Sequence, residues 1–201
     1  MELIVISSPS PLAAEGRLIN QLFQAGMSCF HLRKPDRGFE TIRDLLGEIE
    51  AGYHDRIALH QFHEMAPELG IKRIHYTEAA RGRTPLSALR KHREAGCTLS
   101  TSIHQLSALN GLEHFDYAFY GPVFNSISKP GYTRTVPDNF ICPKADHQAR
   151  LIALGGVQAS NLGKIKQMGF NSAAVLGTLW NDPHQAVERF KQLKELSCEY
   201  L

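Results

Sequence analysis

The sequence predicts an α/β protein, a (β/α)8 TIM barrel built from eight successive strand–helix units. Short apolar, β-rich runs alternate with amphipathic helical segments along the whole chain, and glycines end several of these segments. A length of 201 residues is at the lower end of the size range for this fold. A doubly wound open sheet is the alternative, because the order of strands in a sheet cannot be read from a sequence.

The first half of the chain alternates between the two patterns in a regular way. Apolar residues at Ile42, Leu45, Leu46 and Ile49 have the spacing of one helix face, and a strand-like run precedes them. The predicted strands are residues 3–6, 29–33, 56–60, 73–76 and 97–100, and the predicted helices are residues 12–23, 39–49, 65–69 and 86–94.

The second half repeats this alternation. Strands are predicted at residues 117–120, 151–154 and 173–176, and helices at residues 107–112, 160–168 and 183–196. A long irregular segment covers residues 125–137. Because no linker or low-complexity stretch divides the chain, we expect residues 1–201 to form a single domain.

Composition excludes several classes of function. The chain has 22 Lys and Arg against 20 Asp and Glu, so no global field favours nucleic acid or an anionic membrane. No apolar run approaches the roughly 18 residues that span a bilayer, and the start does not resemble a signal peptide. The cysteines are dispersed without a metal-binding spacing, which predicts a reduced, cytoplasmic protein; they are Cys29, Cys97, Cys142 and Cys198.

Histidines follow several predicted strands, where the loops of a barrel build its active site. Histidine is the side chain best suited to proton transfer near neutral pH, although most histidines in proteins have no catalytic role. His60 and His63 could form a ligand pair, but we predict no metal because carboxylates are missing from the same strand ends. The candidates at strand ends are His31, Arg33, His60, His63, His75 and His104.

Glycines at the ends of the last two strands predict a phosphate site. Gly155 and Gly156 stand before one helix, and Gly177 and Thr178 stand before the next. Free backbone N–H groups and a helix N-terminus both favour an anion there. The alternative is that these glycines only make tight turns.

Five segments of the chain match, in order, a pattern known from one family. They are Phe30-His31-Leu32-Arg33, Ser102-Ile103-His104, Asp116 to Phe124, Ala153 to Gly156 and Ala174 to Gly177. Together they resemble the thiamine phosphate synthase/TenI superfamily, and the resemblance covers essentially the whole chain. It implies a (β/α)8 barrel whose last two loops hold the phosphate of the thiamine thiazole.

The resemblance implies one of two activities, and several positions depart from the first. Synthases of this family join hydroxymethylpyrimidine diphosphate to thiazole phosphate with Mg²⁺, and they carry L-R-x-K and N-D motifs. Here Pro35 replaces the motif lysine, with Lys34 as the nearest substitute, and His60-Gln61 replaces the N-D pair. Among the other residues with which synthases handle the diphosphate, Lys129 matches the family pattern, and Glu78 could replace an expected aspartate. Loss of carboxylates argues against Mg²⁺-diphosphate chemistry.

The second activity that the resemblance implies is that of a thiazole tautomerase. The tautomerase resemblance marks His104 as the catalytic acid/base, and we expect Arg33 to hold the substrate carboxylate. The other expected substrate-binding residues are His31, Lys129, Gly155, Gly156, Gly177 and Thr178. We therefore expect a thiazole phosphate as the substrate and no required cofactor, with Mg²⁺ needed only by a synthase. A synthase and a non-catalytic ligand-binding relative stay open, as does assembly into a homo-oligomer.

Overall fold

A computed structural model describes residues 1–125, 136–137, 139–143 and 149–200. Eight parallel strands close into a barrel in sequence order, as the sequence predicts. The strands are β1 (Glu2–Ile6), β2 (Cys29–Leu32), β3 (Ile57–Leu59), β4 (Arg73–Tyr76), β5 (Thr98–Ile103), β6 (Tyr117–Tyr120), β7 (Arg150–Leu154) and β8 (Ser172–Val175).

The barrel closes because β8 pairs with β1 as well as with β7. Val175 pairs with Val5 on one side of β8, and Ala173 pairs with Ala153 on the other side. This closure excludes the doubly wound alternative, since an open sheet has two unpaired edges.

Alternation along the strands separates an outer core from the barrel interior. Leu3 and Val5 belong to the large apolar layer between strands and helices, whereas Ile4 and Ile6 point into the barrel. The interior cluster is small and contains Ile4, Ile6, Cys29, Tyr117, Phe119, Ile152 and Ala174. Side chains that alternate in the same way as Ile4 and Ile6, but are nearer the carboxyl ends of the strands, therefore point towards the mouth of the barrel.

The helices surround the barrel, and their bounds differ from the predicted ones at a few places. The predicted helix at residues 65–69 is only a 3-10 turn at His63–Met65, because Pro67 lacks the N–H that would continue it. Residues 107–112 also form a 3-10 turn, Leu106–Gly111. The helices are α1 (Glu15–Gln24), α2 (Phe39–Gly47), α3 (Glu78–Arg83), α4 (Leu86–Glu94), α5 (Leu162–Gln167), α6 (Gly177–Trp180) and α7 (Ala186–Cys198).

Helix α3 is absent from the sequence prediction. None of its residues is buried, so the apolar periodicity that marks the other helices does not exist there. Its start is fixed instead by Thr77, whose hydroxyl accepts a hydrogen bond from the backbone N–H of Ala80. Among the helices of the described residues, none has the length and apolarity needed to cross a membrane.

Candidate active site

A cavity of about 890 Å³ opens at the carboxyl ends of the strands. It collects most of the residues that the sequence singled out, because the ends of parallel strands meet at one face of a barrel. Six of the predicted site residues line it, namely Arg33, His104, Gly155, Gly156, Gly177 and Thr178. Lys129, the remaining predicted contact besides His31, lies outside the described residues.

The turn after β7 brings bare backbone to the cavity. Gly155 and Gly156 have positive φ angles of +100° and +63°, a conformation that L side chains rarely adopt. A Cβ atom at Gly156 would collide with the Asn125 carbonyl oxygen and lie 2.7 Å from Cβ of Phe124. Among the described residues, no backbone carbonyl accepts a hydrogen bond from the Gly156 N–H. Only glycine fits this turn, and its N–H stays available.

The turn after β8 supplies further backbone donors beside the first. Gly177 and Thr178 are the first two residues of α6, so their N–H groups have no partner within that helix. The Thr178 hydroxyl donates to the carbonyl of Val157, which ties the two turns together. The predicted phosphate residues are therefore adjacent in space, and binding of phosphate to them stays a prediction.

His104 stands at the end of β5 with its side chain half exposed, at 52%. Its Nδ1–H donates to the carbonyl of Gly121 at 3.0 Å, since a carbonyl oxygen can only accept. In the neutral ring the lone pair is then on Nε2, which faces the Glu78 carboxylate at 3.9 Å. His104 thus has an oriented, accessible base nitrogen.

Glu78 is held near His104 by a contact that the sequence did not reveal. Its carboxylate lies 3.6 Å from Arg81 on the same helix, α3. Arg81 also donates to the hydroxyl of Thr101 and to the carbonyl of Ser102, both on β5. Two sequence signals could have indicated this arrangement, namely the N-cap of α3 at Thr77 and the i,i+3 spacing of Glu78 and Arg81.

Arg33 lines the opposite part of the cavity. Its backbone is fixed by Ser7, whose hydroxyl accepts from the Arg33 N–H and donates to the Arg33 carbonyl, each at 2.8 Å. The guanidinium has no ion-pair partner among the described residues. The described part of the chain therefore leaves its N–H groups without a carboxylate, and a guanidinium can bind an anionic group of a ligand through such donors.

Three histidines converge beneath the cavity, from β2, the end of β3, and β4. They are His31, His60 and His75, and one nitrogen of each lies within 4.8 Å of the other two. Ala58 of β3 pairs with His31 of β2 on one side and with Arg73 of β4 on the other. His60 is two residues after Ala58 and His75 is two residues after Arg73, so His60 and His75 are side by side and both face the same way as His31. Their rings stack with centroids 3.9 Å apart. Strand register brings this cluster together.

Burial keeps these imidazoles neutral. His31 is 0% exposed, and burial followed by the charge of Arg73 lowers its pKa to about 3. Burial is also the main reason why the pKa values of His60 and His75 are well below the ordinary value. His60 and His75 line the cavity, whereas His31 lies behind them. His31 therefore does not line the cavity in this structure, and its contact with substrate stays a prediction.

Lys34 does not replace the missing motif lysine, which corrects that interpretation. Its ammonium contacts the two carboxylate oxygens of Glu15 at 2.5 and 2.7 Å and also donates to the carbonyl of Ser10. The side chains of Lys34 and Glu15 are only 3% and 7% exposed. This buried pair joins the start of α1 to the end of β2 and leaves no donor for a diphosphate.

The polar residues at the end of β3 contact different neighbours. Gln61 donates its amide to the carbonyl of Arg37, and the ring of His63 packs on Tyr76 rather than beside His60. The His60–His63 ligand pair is therefore not formed. Among the described residues that line the cavity, Glu78 supplies the single carboxylate.

The closed barrel gathers Arg33, His104 and the glycine turns after β7 and β8 around one cavity at the carboxyl ends of its strands, which is the place of the active site in (β/α)8 enzymes. A family model described as thiamine monophosphate synthase matches residues 3–179. The chain belongs to this family, and its members act in thiamine biosynthesis.

Individual relatives agree with this assignment. The chain is 24% identical to a thiamine-phosphate synthase of Lysinibacillus sphaericus (strain C3-41). The alignment is 203 positions long, gaps included, and covers 95% of this chain and 92% of the relative. A crystal structure of thiamine phosphate pyrophosphorylase from Bacteroides thetaiotaomicron is 26% identical and has a TM-score of 0.73, with 98% of both chains covered. A pyrophosphorylase from Pyrococcus furiosus has a TM-score of 0.74 at 13% identity, over 100% of this chain and 96% of that one, and shows the fold alone.

Proposed function

We propose that this chain is a thiazole tautomerase that moves a proton within a thiazole carboxylate phosphate and so makes the ring aromatic. The observation that carries the proposal is His104, whose Nε2 is accessible and is held near Glu78 at the edge of the cavity. One acid/base group beside an anion anchor is sufficient for such a proton transfer.

The substrate would be held at both of its charged ends. The backbone N–H groups around Gly156 and Gly177 would bind the phosphate, as the resemblance implies. Arg33 would bind the carboxylate with two parallel N–H donors. These contacts would place the ring between them, in front of His104.

The reaction then requires one base that becomes one acid. Nε2 of His104 removes the proton from a ring carbon, and the electrons of the broken C–H bond enter the ring system. The imidazolium that results is stabilised by the carboxylate of Glu78. The Nε2 proton of this exposed imidazolium exchanges with solvent, and the imidazolium then protonates the exocyclic carbon, so no oxidant, reductant or leaving group is involved.

Thiamine-phosphate synthase activity is the second candidate, and the printed names of the relatives favour it. That reaction handles a Mg²⁺-bound diphosphate, for which oxygen ligands are needed. The described lining of the cavity offers only the carboxylate of Glu78, and Lys34 is held by Glu15. These features support the tautomerase over the synthase.

The experiment uses the purified full chain in D2O with the thiazole carboxylate phosphate tautomer, first alone and then with hydroxymethylpyrimidine diphosphate and Mg²⁺. We expect the aromatic thiazole without either addition, with deuterium at the exocyclic carbon by NMR. Thiamine phosphate formed only when both are added would establish the synthase instead. Neither product, with retained ligand binding, would establish a non-catalytic relative.

A further inference from the structure

The cluster of His31, His60 and His75 is a set of donors that the proposed proton transfer at His104 does not use. The donor nitrogens come from three adjacent strands and lie within 4.8 Å of one another. Two of the rings, His60 and His75, line the floor of the cavity, so the cluster has one face towards a ligand.

We infer that this cluster is a binding site for a divalent transition metal ion of the zinc type, with three imidazole ligands and an open position towards the cavity. Three neutral imidazoles with a free fourth position are an established ligand set for such ions. Mg²⁺ is excluded as the occupant, because it takes oxygen ligands and the cluster offers only nitrogen.

The hydrogen bonds of the cluster do not fix the proton of His60. The Nδ1 atom of His60 is buried and has no hydrogen-bond partner among the described residues. Its proton can therefore be on Nδ1 without breaking a hydrogen bond there, which leaves Nε2 of the neutral ring as a donor to a metal.

In two of the rings, a hydroxyl group contacts the nitrogen that is not needed as a metal ligand. Nε2 of His31 lies 2.7 Å from the hydroxyl of Tyr117, and Nδ1 of His75 lies 2.9 Å from that of Ser100. The Ser100 hydroxyl itself donates to the carbonyl of Ile74, so it can accept the proton of His75. Hydrogen bonds of this kind fix the orientation of a ring and leave its other nitrogen to bind a metal.

Binding replaces one hydrogen bond and needs no proton to leave the site. Nδ1 of His31 and Nε2 of His60 are 2.9 Å apart and share a proton. Ligands of a tetrahedral zinc ion are about 3.3 Å apart, given bonds of about 2.0–2.1 Å. The pair would separate slightly while the ring of His75 turns from Ser102 towards the ion. The proton now between the two rings would move to the other nitrogen of the ring that carries it, so that His31 holds its proton on Nε2, facing Tyr117, and His60 holds its proton on Nδ1.

The test measures metal binding by the full chain, without added histidine tags and after treatment with a chelator. Titration calorimetry with Zn²⁺ should give one site per chain, and Co²⁺ should give the visible absorption of a four-coordinate ion. His60→Gln should weaken binding of both ions by at least about 100-fold. Tyr117→Phe, which removes only the outer hydroxyl, should weaken it by about 10–100-fold.

The matched control is His63→Gln, which changes a partly buried histidine three residues from His60 but outside the cluster. We expect this variant to bind as the unchanged chain does. The inference would be overturned if the chain did not bind Zn²⁺, or if His63→Gln and His60→Gln lost the same Zn²⁺ affinity. The three histidines would then be a hydrogen-bonded cluster without a metal. Because no substrate is present, these outcomes are independent of the tautomerase assay.

Discussion

Nε2 of His104 and Oε2 of Glu78 lie 3.9 Å apart, although the two residues belong to neighbouring strand–helix units. His104 follows β5 and Glu78 begins α3, so the pair exists only because β4 and β5 are adjacent in the barrel. Arg81 bridges Glu78 to β5 and holds the pair together. The carboxylate is therefore in place to stabilise an imidazolium on His104.

His104→Ala should lower the turnover of the tautomerase reaction by about two to four orders of magnitude, which is the usual contribution of a general acid/base. Its effect on stability should be small, because the side chain is half exposed. The rate of aromatisation and a urea unfolding curve measure the two effects separately.

The control for this variant is His184→Ala, which removes an exposed histidine far along the chain. It should change neither turnover nor stability. If His104→Ala instead loses stability and keeps its turnover per folded molecule, His104 only supports the fold, through its hydrogen bond to Gly121.

Gly156→Ala should weaken the binding of inorganic phosphate and destabilise the protein by about 1–3 kcal/mol, since it forces a side chain into a left-handed conformation. The new Cβ would also displace the chain at Phe124. Gly82→Ala, in the open space around α3, should leave phosphate binding unchanged and should not destabilise the protein. Equal phosphate affinity in both variants would remove the anion site from this turn.

Binding of hydroxymethylpyrimidine diphosphate should be weak and should not improve with millimolar Mg²⁺. The reason is the lining of the described cavity, where Glu78 supplies the single carboxylate. Titration calorimetry with and without Mg²⁺ measures this directly. A micromolar affinity that depends on Mg²⁺ would contradict the prediction and favour the synthase.

Lys34→Met should destabilise the protein by about 3–5 kcal/mol, because it leaves the carboxylate of Glu15 buried without its partner. The double variant with Glu15→Leu should recover most of this loss, since both charges are then removed. Arg43→Ala breaks an exposed pair with Glu40 and should change stability by less than about 1 kcal/mol. Urea unfolding curves of the four proteins provide the comparison.

Much of the fold could be predicted from local patterns. The eight strands are apolar enough to be recognised, and their interior and exterior positions follow from alternation, as at Ile4 and Val5. Helix α3 could not be predicted in this way, because it buries no residue and depends on the cap at Thr77 and on contacts of Arg81.

The sequence by itself determined which residues stand at strand ends, and so it located Arg33, His104, Gly156 and Gly177 around one cavity. Position after a strand is a local property, and a parallel barrel gathers all such positions at one face.

Only the tertiary structure decided which side chains meet there. The sequence paired His60 with His63 by spacing, whereas strand register places His60 with His31 and His75. Lys34 follows Arg33 directly, yet its side chain turns away from the cavity to Glu15. Distances between residues of different strands depend on register, barrel closure and side-chain direction, and the order of residues along a single chain carries none of these.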